Sequence, residues 1–513
     1  MQPKMQGSKF VKAINRIVSF AQRVGRVKNR INQRMENKYS PSLIALWMTT
    51  AAALLIVLML FVPNYLGVAD DGSLSRVMQS AGVYYTQADA EDPYNDYFIK
   101  TYSNVPEDSV TPETSVNSQV LIIKAAVFLD NLVTKDNLFD IRFLALIYVL
   151  FYIPAFYMII RQACMRVRKF SEGIVIGIAG LLLFSDIAYI TYFNSFYPEA
   201  VWFISLMYCV GAALSFQSNR SAFGDFGSLL TILAAGTVLT FTRSQSTIVG
   251  ILLAVFCLKL VFARNSWKWG IVCISASFFL AFISIAGMIN LDSDFDETSR
   301  FHAMTRGVLF ESERPGDTLE EFGIDSSYEM LTDVSAYDSL PMVQADNPAL
   351  KEGFLDKYTS ADIAGYYLRH PGSFVSMLDV AVKSCFGIRR DYCGNYEQSV
   401  GLPGRARSMF WGAWSMFKNN SAPRTIGFLV VLAAAVFLLF GRGYSLRPNK
   451  DRRSMVFIDM LMVVLLVCLT QAGVTIIQSG DAQMARHCFL VSYGMDIMIY
   501  FVFSEIVHKI NIF

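Results

Sequence analysis

The chain has 513 residues, 54% of them hydrophobic and 14% aromatic, with a mean hydropathy of +0.39. That apolar content excludes an ordinary soluble domain and points to a chain whose surface faces lipid. The net charge is only +2, and the basic runs are short and lie beside apolar stretches, which argues against a nucleic-acid partner.

Residues 1–42 form a basic N-terminal segment. Phe10, Ile14, Ile17, Ala21, Val24, Val27 and Ile31 recur every three or four positions, with Lys9, Lys12, Arg16, Arg23, Arg26 and Arg30 between them. This spacing fits a basic amphipathic helix on an anionic membrane surface, or a cytosolic tail. A first span is expected over Leu43–Val62, its N-terminus held in the cytoplasm by the basic tail. An acidic external loop, 63–137, follows, with an amphipathic stretch at Val120–Leu132. Further spans are expected at Leu138–Ile160, Ile174–Ile190, Val201–Phe216, Leu229–Phe241, Thr247–Ala263 and Gly270–Ile289, closing an N-terminal module over 43–289. Leu229–Phe241 is short for a bilayer. A polar segment, 290–425, is expected outside; within it residues 361–369 read as a helix stopped at His370-Pro371. Ile426–Phe440, Met455–Ile477 and Cys488–Val507 complete a C-terminal module over 426–513. The expected fold is an all-α polytopic membrane bundle of about ten transmembrane helices with helical loops on the outer face.

Loop charge checks this topology. It places Arg161, Arg166, Arg168, Lys169, Arg220, Arg264, Lys268, Arg442, Arg447, Lys450, Arg452, Arg453 and Lys509 inside, and leaves the outer segments net acidic. Asp70, Asn194, His302 and Arg486 then lie outside, and both termini are cytoplasmic. No internal repeat of the kind found in transporters is visible. The eight cysteines include no CxxC pair and no Cys/His cluster at zinc spacing. Cys385 and Cys393 fall in the outer segment, where a disulfide between them is a candidate.

The polar residues that stand out lie beside the ends of spans. Asp70-Asp71-Gly72 follows the first span closely. Such a pair can supply a general base for a sugar hydroxyl, hold a hard divalent cation, or be two solvated loop acids. Tyr192–Glu199 is an aromatic loop with polar heads: its rings suit a sugar face, and Asn194 and Glu199 suit hydroxyls; a plain interfacial turn would look similar. Arg243, in the run Thr242-Arg243-Ser244-Gln245-Ser246, and Arg486-His487, just before the last span, could meet a phosphate or snorkel to the interface. His302 and Arg306 belong to a polar block that retains apolar positions.

In this order, the Asp70-Asp71 motif, the Tyr192–Glu199 loop, the Thr242-Arg243-Ser244 tail, the block from His302 to Ile324, the His370-Pro371 stop and Gly480-Asp481…Arg486-His487 carry a resemblance. The chain resembles the bacterial GT-C membrane glycosyltransferases, closest to the glycan-biosynthesis hexose transferase type. The resemblance implies a GT-C-like bundle in a bacterial cytoplasmic membrane. It also implies transfer of a hexose from a polyprenyl-phosphate donor to a hydroxyl of a glycan or glycolipid acceptor on the outer face. Asp70 or Asp71 would act as base. Arg243, Arg486 and His487 would bind the donor phosphate, and Asn194, Tyr197, Glu199, His302 and Arg306 the sugar or acceptor. No metal site and no definite cofactor are assigned, although the acidic pair leaves a divalent cation open. The rivals are a lipid-linked sugar transporter or flippase, whose charges would lie nearer the midplane, and a polymerase or ligase with a diphosphate-linked donor.

Overall fold

The computed structural model describes residues 40–70, 74–86, 96–105, 116–167, 169–218, 221–290, 297–336, 348–390, 392–441, 452–482 and 484–510. The expectations for the N-terminal amphipathic helix and for Asp71 lie outside these residues. Every expected span is matched by a helix: α1 (Pro41–Leu60), α3 (Arg142–Cys164), α4 (Phe170–Phe184), α5 (Glu199–Ser218), α6 (Ala222–Thr240), α7 (Thr247–Lys259), α8 (Trp267–Asn290), α10 (Ile426–Phe440), α11 (Val456–Ser479) and α12 (Phe489–Ile510). The amphipathic stretch forms α2 (Ser118–Val133), and α9 (Pro371–Cys385) starts at the proline that stops the helix Ser360–Arg369. Among the described residues, eight helices are long and apolar enough to cross a membrane. A ninth crossing requires joining α4 to Ile187–Asn194 across a 47° bend. α10 has 15 residues, about 22 Å of helix against a hydrocarbon core of about 30 Å.

Burial sorts the bundle. α5 is 94% buried and forms its centre. The outer helices turn apolar side chains outward: Leu54 of α1 is 61% exposed, Phe278 of α8 74% and Leu438 of α10 72%. In water such surfaces would aggregate, whereas in lipid they are solvated. Small residues allow the closest crossings. A Cβ on Gly250 of α7 would lie 2.2 Å from the Ser284 hydroxyl of α8, so glycine is required there.

Three boundaries differ from expectation: the span expected over Ile174–Ile190 is broken after Phe184, and two others are shifted. The fifth span is not short: α6 begins at Ala222, seven residues before Leu229, and has 19 residues. Its polar start conceals it in the sequence. Ser221 caps the helix by accepting from the Gly224 N–H, and the buried Asp225 is matched by Arg264 at 2.7 Å and by Arg453. Leu138–Asp140 is not helical. It forms β3, antiparallel to β2 (Thr101–Ser103), so α3 starts at Arg142, whose Nε donates to Asp140 at 2.9 Å. The candidate Cys385–Cys393 disulfide is absent, and all eight cysteines are free. Cys393 donates to the Tyr192 hydroxyl at 3.4 Å, whereas Cys385 hydrogen-bonds with Cys488, so the two thiols face different partners.

The ends of the bundle differ chemically. One end carries the pairs Arg166–Glu505, Lys259–Asp459, Arg264–Asp225 and Lys509–Glu505. At the other, the segment between α8 and α10 folds back onto the bundle. Its strand β4 (Cys393–Tyr396) pairs antiparallel with β1 (Leu66–Val68), which follows α1. Its helix Ala413–Ser421 is pinned to α12 by Lys418. The ammonium donates to Asp496 at 2.6 Å and to the Ser492 hydroxyl at 2.8 Å, while Tyr189 and Trp414 donate to the other Asp496 oxygen at 2.5 and 2.9 Å. A buried pair with every group bonded fixes one docking geometry.

Candidate active site

Strand β1 runs from the end of α1 directly into Asp70. The Ala69 N–H donates to the Tyr392 carbonyl at 3.0 Å, and the Tyr197 hydroxyl donates to the Ala69 carbonyl at 3.3 Å. Asp70 is 4% exposed, and the Tyr85 hydroxyl donates to its carboxylate. An acid bonded by a phenol just past a paired strand has a fixed direction, which a base needs.

Beside this strand lies a basic and aromatic cluster. The Arg390 guanidinium donates to the Tyr392 hydroxyl at 2.7 Å and stands 3.3 Å from the Glu199 carboxylate. The Tyr392 and Tyr197 rings stack at 5.9 Å, and Tyr192 meets Tyr197 edge-on at 6.1 Å. Burial pushes the Tyr392 phenol up to about 12, with Arg390 opposing the rise. Arg389 clamps the turn: its Nε donates to the Cys393 carbonyl at 3.3 Å and its Nη2 to that of Ser408. Burial, with Arg407 nearby, draws the Arg389 guanidinium below its ordinary pKa.

The loop expected to be an interfacial belt is instead buried. Asn194, Tyr197 and Glu199 are at most 1% exposed. Asn194 donates to the Leu66 carbonyl at 2.9 Å, so it positions β1 and hence Asp70. Neither Glu199 oxygen has a hydrogen-bond partner among the described residues, although Arg390 lies close.

The other predicted residues form a second group at the end of α11. Gln245, in the turn after α6, bonds to His487 Nδ1 at 2.7 Å, joining the Arg243 turn to the motif before the last span. The Arg243 N–H donates to the Ser246 hydroxyl at 3.2 Å. The side chain of Arg486 lies outside the described atoms, and its backbone belongs to the helix Met484–His487. Arg306 forks onto Asp481 at 2.7 and 3.0 Å and reaches Asp333 at 3.0 Å. His302 Nε2 accepts from the Ala336 N–H at 3.0 Å and lies 3.2 Å from the Ser335 hydroxyl. Gly480 has φ +58°, and a Cβ there would lie 2.7 Å from the Gly307 nitrogen, so the Gly480-Asp481 turn and the His302–Arg306 block meet backbone to backbone. Met304–Val308 is a π-helical turn, a distortion often found at working sites. The groups connect through Phe489, whose ring lies 5.7 Å from Tyr192.

Sequence reasoning missed Arg389, Arg390, Tyr392, Lys418 and Asp496. Only the adjacent arginines just before an aromatic offered a signal. Among the described residues, no group of three or more His, Cys, Asp or Glu side chains is placed to hold a metal ion.

The family model of the YfdI N-terminal transmembrane domain matches residues 27–513. No curated protein and no solved structure matches the chain. The long apolar helices and this match across nearly the whole chain agree: the protein is a multi-pass membrane protein and belongs to the YfdI N-terminal transmembrane domain family, a membrane-glycosyltransferase-like family.

Proposed function

We propose that the chain transfers a hexose from a polyprenyl-phosphate donor to a hydroxyl of a cell-envelope glycan, at the end of the bundle that carries Asp70. The observation that carries this reading is the placement of Asp70: buried, hydrogen-bonded by Tyr85, and just past strand β1, where the neighbouring Ala69 N–H donates to the Tyr392 carbonyl. In the proposed step the acceptor oxygen bonds to the anomeric carbon while Asp70 takes its proton. The bond from that carbon to the phosphate oxygen breaks, and the polyprenyl phosphate leaves as the anion. A phosphate is a good leaving group, so one base suffices and no separate acid is required. Arg243 and His487, linked through Gln245, supply the phosphate contacts together with Arg486. The half-buried Tyr392, backed by the fully buried Tyr197 on which it stacks, offers a surface for a sugar ring. Charged groups that cluster at one end of the bundle suit an enzyme working on that face better than a transporter, which gathers them near the midplane.

The test is Asp70→Asn and Asp71→Asn in the reconstituted protein, with donor binding measured apart from turnover. Asp70→Asn is expected to bind donor normally and to lose about 10²–10⁴-fold in kcat. Near-normal transfer by both variants would remove the acidic motif from the chemistry.

A further inference from the structure

The helix Ala413–Ser421 is inside out for a segment in water. It buries Ser415 and Lys418, 0% and 1% exposed, and turns Met416 and Phe417 outward, the latter 54% exposed. The stretch just before it continues the same face: Met409 is 60% exposed and Phe410 45%. A helix on an aqueous surface shows the reverse arrangement, with its apolar stripe inward and its charge outward. The buried polar groups here are matched. Lys418 is bonded to Asp496 and Ser492, and the Ser415 N–H donates to the Asp186 carboxylate at 3.0 Å. Exposed cations flank the stretch, Arg407 before it and Arg424 after it.

Contacts set the height of this helix along the bundle. α4 has 15 residues, about 22 Å of helix. It starts level with the end of α12, where Glu172 stands 3.5 Å from His508, and it ends where Phe184 meets Tyr493 at 6.3 Å. α4 thus stops about 8 Å short of crossing a hydrocarbon core of about 30 Å. The helix Ala413–Ser421 sits beyond that end. Ser415 bonds to Asp186, two residues past Phe184, and the Ile187 N–H donates to the Trp411 carbonyl at 3.2 Å. Lys418 reaches Ser492 and, together with Trp414, Asp496. Those partners lie roughly 5–10 Å along α12 from its start at Phe489. With 22 residues, about 33 Å, α12 is only just long enough to cross, so these contacts lie below the membrane boundary.

We propose that residues 409–421 are seated in the lipid leaflet at the Asp70 end, with Met409, Phe410, Met416 and Phe417 against lipid chains and Arg407 and Arg424 at the level of the lipid phosphates. The partner is a lipid surface. Interfacial helices rest roughly 5–10 Å into the boundary between headgroups and chains, the depth that the α12 contacts give. Trp411 and Trp414 are side chains that favour this zone, and flanking arginines extend from it toward the phosphates. The segment expected wholly outside over 290–425 then contains a stretch held in lipid. That seat bears on the candidate site. The Ser408 carbonyl, one residue before Met409, accepts from Arg389, and the Ser408 N–H donates to the Gly394 carbonyl at 2.9 Å. The turn that carries Arg390 and Tyr392 is therefore tied to a stretch whose height the bilayer sets.

The experiment uses the unaltered full chain in lipid nanodiscs. It needs no turnover, so its outcome is separate from that of the transfer reading. In one arm, phosphatidylcholine with a diazirine in its acyl chain is photolysed. Label is expected within 409–417 as well as on α8, whose Phe278 faces lipid. In the other arm, hydroxyl radicals generated in the water oxidise methionine. Met330, 62% exposed in the segment between α8 and α10, should react at least about tenfold faster than Met409 and Met416. Oxidation of Met409 and Met416 at the rate of Met330 overturns the proposal, because it places this face in water. Protection of both without acyl label, while α8 is labelled, also overturns it, because the cover is then protein, such as a second copy of the chain.

Discussion

Arg390 and Glu199 form an ion pair whose side chains are 8% and 1% exposed. Taking two charges out of water is costly, and a buried pair survives because each charge compensates the other. Removing one partner strands the other. Glu199→Gln or Arg390→Met alone should cost about 3–5 kcal/mol. The double variant should be more stable than the sum of the two losses predicts, by 1 kcal/mol or more, because neither stranded charge remains. Unfolding in detergent of the four members of this cycle is the measurement, and simple additivity would show the pair uncoupled. Glu199 was legible in the sequence as an acid at the start of a span. Arg390 was not, because its meaning depends on the β1–β4 pairing, and hydrophobic periodicity reports no contact between such distant segments. Asn194 shows the same limit. An amide in an aromatic loop reads as a sugar ligand, and its hydrogen bond to the strand that it supports is visible only in the fold. Arg306 likewise reads as a binding group, and its pairing with Asp481 is visible only in the fold.

At the scale of elements, the spans were legible because a bilayer needs about 20 apolar residues in a row. Their edges were less so. α6 was read short because Asp225, Gly227 and Ser228 look like loop, and only Arg264 and Arg453, from other segments, make a buried aspartate tolerable there. The helix Ser360–Arg369 was readable from its C-terminal stop, and the structure supplies its N-terminal cap. Thr359 accepts from the Asp362 N–H, and Asp362 accepts from the Thr359 N–H at 2.8 Å, while Pro371 forbids continuation. The hydrogen bond from the Thr359 hydroxyl, then that from its N–H, holds the Asp362 carboxyl below its ordinary pKa. A depressed folded-state pKa gives stability that is fully present above the unfolded value of about 3.9 and is lost as pH falls through the folded value. Amide exchange over residues 360–366 should therefore quicken as pH drops below about 4, beyond the intrinsic change measured in an unstructured peptide. Asp362→Asn should abolish that extra dependence. Thr359→Ala should cost about 0.5–2 kcal/mol at neutral pH. Exchange in the wild type with no extra pH dependence would mean that the cap does not hold the helix.

At the scale of the molecule, the two ends of the bundle carry opposite characters, and the pairing of helices makes this a property of the fold. Arg166, Lys259, Arg264 and Arg453 gather at one end, each matched to a buried or half-buried acid of another segment, and Lys509 pairs there with Glu505 one turn earlier on its own helix. Asp70, Glu199, Asp333 and Asp481 gather at the other, with the segment between α8 and α10 folded over them. Positive charge near span ends is retained on the cytoplasmic side, whereas acids have little influence on orientation. The expected orientation thus puts the Arg166–Lys509 end in the cytoplasm and Asp70 outside. The count of crossings enters here. If α4 failed to cross, or α10 were too short, every later loop would change sides and basic residues would face outward. The packing opposes that: Lys509, at the end of α12, donates to the Leu439 carbonyl near the end of α10, so both helices finish at the same level. Single cysteines in a background without the eight native ones decide the matter. Arg314, 82% exposed in the segment between α8 and α10, and Lys268, exposed at the start of α8, are suitable sites. Arg314→Cys should react with a membrane-impermeant maleimide in intact cells, and Lys268→Cys only after permeabilisation. Labelling of position 268 from outside would reverse the orientation and move the proposed chemistry to the other face of the membrane.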